Sequence, residues 1–129
     1  MDKIRIKSKI PELYGLGIDM EKISRFRNKK TKSLFLKRIY TSEELYYCFN
    51  KAKPAKHLAG RFVAKESVIK AMALFTKQPI SHKNIEIIND KFGIPMVSLK
   101  NKFGNKFYFS LSISHTKDMA VAAVIVTRK

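Results

Sequence analysis

The stretch H-L-A-G-R-F-V-A-K-E-S-V-I-K-A-M-A, residues 57–73, constrains the fold more than any other part of the chain. Its interior has no proline, holds one early glycine (Gly60) and is rich in Ala, Leu, Met, Lys and Glu, so the spacing predicts a helix. At about 100° per residue, Leu58, Phe62, Ile69, Met72 and Ala73 fall on one apolar stripe. Glu66 lies inside that stripe, with Lys70 one turn on at its edge and Lys65 on its other side. A carboxylate facing a core is costly unless a cation, a metal ion or several donors meet it. The simplest partner is Lys70 at i,i+4, a pair worth roughly 0.2–0.5 kcal/mol on a surface. The other reading is a site that uses the charge.

At 129 residues the chain is expected to form one domain with a modest core, and 45% hydrophobic residues set it apart from disordered chains. Against 27 Lys and Arg stand 10 Asp and Glu, a net charge of +17. Such an excess favours an acidic or polyphosphate partner: nucleic acid, a nucleotide cofactor, an acidic protein or an anionic membrane surface. The single cysteine, Cys48, excludes an intramolecular disulfide framework and fits a reducing compartment. No apolar window is long enough to span a bilayer, and the opening M-D-K-I-R-I-K-S-K lacks the hydrophobic centre of a signal peptide. The expectation is a soluble, cytoplasmic protein.

Residues 1–12 read as a basic N-terminal arm, and 13–129 as a single domain. Residues 13–20, L-Y-G-L-G-I-D-M, read as a buried strand with Tyr14, Leu16 and Ile18 on one face and Gly15, Gly17 and Asp19 on the other. The bare glycine positions leave room for a neighbouring helix or a ligand. Asp19 also stands where it can cap a short helix starting at Glu21, with Ile23 and Phe26 inward. Leu34, Phe35, Leu36 and Ile39 then form another apolar turn or two. Y-T-S-E-E-L then predicts a helix opened by a capping box between Thr41 and Glu44. After Phe75 the period changes to strands at 85–88 and 96–100, with turns at 90–93 and 101–105. Residues 106–114 alternate, Phe107, Phe109, Leu111 and Ile113 against Tyr108, Ser110, Ser112 and Ser114, which suggests a sheet covered on one side. A last strand, 119–127, reads as buried on both faces. The class is α+β, helices packed on an antiparallel sheet.

No nucleophile elbow, P-loop, paired-cysteine site or H-E-x-x-H is present. What remains is Asp19 on an early strand, Glu66 on the central helix and His115-Thr116-Lys117 at a strand end, among basic side chains (Arg61, Lys65, Lys70). Two carboxylates without a sulfur ligand suit Mg²⁺, which keeps water and substrate phosphate oxygens as its other ligands. Pattern alone supports metal-assisted chemistry on a phosphate compound. His115 on its own reads as a satisfied turn histidine before it reads as a catalytic group. A second class, a basic nucleic-acid-binding module with Tyr or Phe stacking on bases, accounts for the charge but not for Glu66 or Asp19.

G-L-G-I-D at 15–19, G-R-F-V-A-K-E-S-V-I-K-A at 60–71 and S-I-S-H-T-K-D at 112–118 resemble, in order and spacing, the three signature stretches of the holo-[acyl-carrier-protein] synthases, a family of 4′-phosphopantetheinyl transferases. R-I-Y-T-S-E-E-L at 38–45 and the N-I-E-I strand before G-x-P at 93–95 fit as well. The resemblance covers about residues 13–127; the basic arm precedes the usual start. It implies Mg²⁺-dependent transfer of 4′-phosphopantetheine from coenzyme A to a serine of apo-acyl-carrier protein, with release of 3′,5′-ADP, in fatty acid biosynthesis. By position Asp19 and Glu66 would be the Mg²⁺ carboxylates and Lys70 the lysine near the pyrophosphate, these three forming the catalytic set. His115 and Thr116 would lie near the nucleotide phosphates, with Arg61 and Lys65 helping to bind coenzyme A. Arg25 and its basic neighbours would face the acidic carrier protein. The family's usual state implies a homotrimer with sites between subunits, acting without nucleic acid or membrane.

Overall fold

Two missing side chains decide what packs on the first strand. A computed structural model describes residues 13–30, 33–100 and 102–129; the basic arm at 1–12 therefore lies outside the described residues. The elements run β1 (Tyr14–Lys22), a 3-10 turn (Ile23–Phe26), α1 (Leu34–Ile39), α2 (Ser42–Phe49), α3 (Pro54–Met72), a 3-10 turn (His82–Asn84), β2 (Ile85–Asn89), β3 (Pro95–Leu99), β4 (Phe107–His115) and β5 (Met119–Arg128). A β-carbon on Gly17 would sit 1.8 Å from the Ser67 carbonyl oxygen, and one on Gly15 2.2 Å from that of Ala71. The space beside the strand thus belongs to helix α3. Gly17→Ala is expected to lower stability by about 1–3 kcal/mol, read as a lower urea midpoint, because neither backbone can yield without moving its whole element. An unchanged midpoint would mean that the contact is loose.

The main sheet is antiparallel, in the order β1-β5-β4, with α3 across one face. Alternation in β4 runs as expected, Phe107, Phe109, Leu111 and Ile113 turning toward the core. β1 departs from the expected buried strand. Its glycine face is covered, while Tyr14, Leu16, Ile18 and Met20 on the other face are 60–70% exposed. The last strand is likewise covered on one face only: Ala120, Ala122, Val124 and Val126 are buried, but Ile125 is exposed. Together with Tyr108 these residues leave an apolar sheet surface open to solvent.

Asp19 does not cap a helix. Pairing with β5 carries β1 on to Lys22, where Lys22 faces Met119, so the ladder prevails over the local helix signal. The segment that follows is a single 3-10 turn, although Ile23 and Phe26 are buried as expected. Helix α2 opens on the full capping box: Thr41 Oγ1 accepts from the Glu44 N–H at 3.2 Å, and Glu44 Oε1 accepts from the Thr41 N–H at 2.9 Å. Pro54 occupies the first turn of α3, where its missing N–H costs nothing. β2 and β3 form a separate hairpin whose turn carries Gly93 at φ +83°. The expected hairpin across 101–105 does not exist as a ladder, since β3 and β4 lie in different sheets; residue 101 lies outside the described residues.

Candidate active site

Helix α3 was expected to bury one stripe. It is instead enclosed on nearly every side, by the main sheet below and by α2 and β2 above, so that Arg61 and Lys65 are buried with the apolar residues. Glu66 is not in the core. Its side chain is 29% exposed, and its Oε2 meets His82 Nε2 at 2.5 Å rather than Lys70. The predicted stripe is only partly the packing face: Leu58, Phe62 and Met72 are in the core, but Ile69 is only partly buried and Ala73 is exposed.

The charge buried on the helix belongs to Lys65. Its Nζ lies 2.6 Å from Glu44 Oε1 and donates to the carbonyls of Ile85 at 2.6 Å and His82 at 2.9 Å. Glu44 Oε2 also accepts the Ile87 N–H at 2.7 Å. Burial pulls the Lys65 ammonium below its ordinary pKa, and the Glu44 carboxylate opposes that pull. All three donors of Lys65 are thus committed inside the protein. The expectation that it contacts coenzyme A is corrected: Lys65 ties α3 to α2 and β2.

Asp19 and Lys70 do meet. Lys70 Nζ donates to Asp19 Oδ1 and to the Ile18 carbonyl, both at 3.0 Å, bridging β1 and α3. Glu66 precedes Lys70 by one turn on the same helix, with its carboxylate turned to His82. Among the described residues no cluster of three or more metal-ligating side chains exists. Two partly exposed carboxylates with no third protein ligand fit an ion that draws its remaining oxygens from water and a phosphate substrate, as Mg²⁺ does.

His115 and Thr116 lie elsewhere along α3. His115 Nε2 is 3.1 Å from the Lys56 carbonyl and packs on Gly60, where a β-carbon would come within 2.8 Å of it. Ten residues of helix, about 15 Å, separate Gly60 from Lys70. Thr116 Oγ1 accepts the Met119 N–H at 3.0 Å and closes the β4–β5 turn. Both residues border a cleft of about 850 Å³ whose rim carries Arg27, Lys29, Lys53, Lys56 and Lys117 over an apolar floor. In a smaller adjoining cavity, Arg61 stacks 4.0 Å above the Tyr47 ring, and its buried Nε has no hydrogen-bond partner among the described residues. Burial first, then the charges of Arg61 and Lys51, hold His57 down to about 4. Burial also lowers His115, against the pull of the Lys56 carbonyl. Arg25 is pinned by Glu21 at 2.6 Å and lies 4.9 Å over the Phe62 ring, with its side chain still partly open to solvent.

Two residues were not legible as partners in the sequence. In the sequence Glu44 shows only a capping role, and His82 lies between Phe75 and the strand at 85–88, where no periodic signal marks it.

An Asp19–Lys70 bridge at one end of α3 and a basic cleft near its other end, on an α+β domain, are the features to set against known proteins. Residues 15–124 match the model of the 4′-phosphopantetheinyl transferase superfamily. The holo-[acyl-carrier-protein] synthase of Chloroherpeton thalassium is 42% identical over 115 residues, covering 86% of this chain and 95% of that one. That of Geotalea daltonii is 36% identical over 124 residues, covering 90% and 99%. A crystal structure of the Bacillus anthracis holo-(acyl-carrier-protein) synthase in complex with CoA (3′,5′-ADP) superposes with a TM-score of 0.74 at 31% identity, covering 92% of this chain and 99% of that one. The Helicobacter pylori protein in complex with coenzyme A gives a TM-score of 0.72 at 31% identity over 86% and 98% of the two chains. The chain belongs to the holo-[acyl-carrier-protein] synthase family of 4′-phosphopantetheinyl transferases.

Proposed function

We propose that the protein moves 4′-phosphopantetheine from coenzyme A to a serine of apo-acyl-carrier protein in a Mg²⁺-dependent reaction that releases 3′,5′-ADP, in support of fatty acid biosynthesis. The observation that carries the reading is the Asp19–Lys70 bridge with Glu66 one turn away, in a chain of this family. Asp19 and Glu66 would hold the ion, which when bound offsets charge developing on the pyrophosphate. Lys70 would meet the leaving phosphate with its ammonium, either by charge or by giving up a proton. The basic rim of the large cleft, with His115 and Thr116, suits the nucleotide phosphates of the coenzyme, and Arg61 offers its unpartnered Nε to an anion in the adjoining cavity.

Two further assignments belong to the same reading. The carrier protein would dock its acidic surface near Arg25, Arg27 and Lys29, so that association is fast and sensitive to salt. Three copies would cover the open apolar face of Tyr14, Leu16, Ile18, Met20 and Ile125, a surface too continuous for a solvated sheet. The distance between the Lys70 end and the His115 end of α3 is then bridged where neighbouring copies meet. Among the described residues no helix is long and apolar enough to cross a membrane. A single buried thiol, Cys48, suits work in the cytoplasm.

Incubation with coenzyme A, Mg²⁺ and apo-carrier protein should add one phosphopantetheine mass to the carrier, at a rate that falls as salt rises. A carrier of unchanged mass, with RNA bound tightly instead, would favour the nucleic-acid reading that the charge alone allowed.

A further inference from the structure

The shortest side-chain contact around the acidic pair involves a residue that the transfer reaction, as set out above, does not use. His82 Nε2 and Glu66 Oε2 are 2.5 Å apart, with both side chains about one-third exposed, at 30% and 29%. An ionised carboxylate can only accept, so in this contact the imidazole is the donor, through the tautomer that carries its proton on Nε2.

His82 is held from three directions. Its ring stacks on Phe62, centroids 5.9 Å apart and planes 9° from parallel. Its carbonyl accepts from the buried Lys65 Nζ at 2.9 Å. Its Nε2 meets Glu66, the residue next to Lys65 on α3. The buried Lys65–Glu44 pair thus fixes the backbone of the 3-10 turn, Phe62 fixes the plane of the ring, and the ring fixes one carboxylate oxygen. Among the described residues Glu66 Oε1 makes no hydrogen bond, which leaves that oxygen to a cation.

We propose that His82 is a positioning residue for Glu66: it holds Oε2 in place and leaves Oε1 open to the divalent ion that Glu66 and Asp19 would hold. This rests on the Mg²⁺ reading of Asp19 and Glu66 given above. A carboxylate on an otherwise free, partly exposed glutamate samples several rotamers, and freezing them on ion binding lowers affinity. A hydrogen-bond partner behind a ligand removes that loss, and such partners are commonly worth about 10–100-fold in metal affinity. The role is separate from catalysis, since His82 touches the ligand rather than the reacting atoms.

The test compares wild type with His82→Phe and His82→Gln. Phenylalanine keeps the stack on Phe62 but has no donor; glutamine places an amide N–H about where Nε2 stands. Mn²⁺ binding in the presence of coenzyme A is measured directly by electron paramagnetic resonance, and the Mg²⁺ dependence of transfer in parallel. His82→Phe should weaken Mn²⁺ binding and raise the half-activating Mg²⁺ concentration by about 10-fold. It should keep kcat and the KM for coenzyme A near wild type at saturating Mg²⁺, with an unchanged thermal midpoint. His82→Gln should recover most of the affinity. Wild-type-like or tighter Mn²⁺ binding in His82→Phe would overturn the proposal, as would a Gln variant no better than Phe. Wild type that binds no Mn²⁺ and works in excess chelator would instead remove the metal reading, and this proposal with it.

Discussion

Glu66→Gln and Asp19→Asn should each cut phosphopantetheine transfer by at least about 100-fold, roughly 2.7 kcal/mol of transition-state stabilisation, while leaving the fold intact. Both substitutions keep shape and remove charge, so they test the carboxylates rather than the packing. Stability should barely move, because neither side chain is in the core. The Asp19–Lys70 pair holds at 3.0 Å, but the Lys70 side chain is 52% exposed, and a pair so open to solvent contributes at most about 1 kcal/mol. The check is the transfer rate across a Mg²⁺ titration beside a thermal melt of each variant. Full activity in either variant, or in wild type with excess chelator, would rule out the two-carboxylate ion site. Melts that collapse along with activity would show that these acids hold the fold instead.

Lys65→Met should be the most destabilising single change on α3, by about 3–5 kcal/mol, because it leaves the Glu44 carboxylate buried without its cation. Both partners are at 0% side-chain exposure, 2.6 Å apart. The same substitution also strands the carbonyls of Ile85 and His82, which lose their donor. Pairing it with Glu44→Gln should recover a large part of the loss. The charge is then gone on both sides, and the glutamine's one carbonyl oxygen can still accept one of the two N–H groups, of Thr41 or Ile87, that meet separate oxygens of Glu44. Urea midpoints of the two singles and the double make the comparison. A Lys65→Met protein of normal stability whose KM for coenzyme A rises would return Lys65 to the coenzyme and refute its structural assignment.

The contrast between Glu66 and Lys65 shows where sequence reasoning reached its limit. A helical wheel ranks faces by average polarity, which works when one side of a helix sees solvent. Helix α3 is wrapped by the sheet, α2 and β2 together, so a lysine flanked by alanine and glutamate could be the buried residue and the glutamate the partly open one. The Thr41–Glu44 capping box was legible because its two members lie within one turn. The second role of Glu44 was not, because its partner Ile87 is 43 residues away. Asp19 pointed away from a cap for a similar reason: the strand it belongs to is completed by β5, at the far end of the chain.

By itself the sequence determined the family, through three ordered motifs, and with it the α+β class, the strand identity of Asp19's segment and the one-turn spacing of Glu66 and Lys70. Those are properties of neighbours along the chain, where the 3.6- and 2-residue periods act directly. Only the tertiary structure decided that Lys70 reaches Asp19, 51 residues back, that His82 backs Glu66, 16 residues on, and that the apolar face of β1 looks outward. These depend on how whole elements pack, and the period of a strand says which residues share a face but not which face the helix will cover.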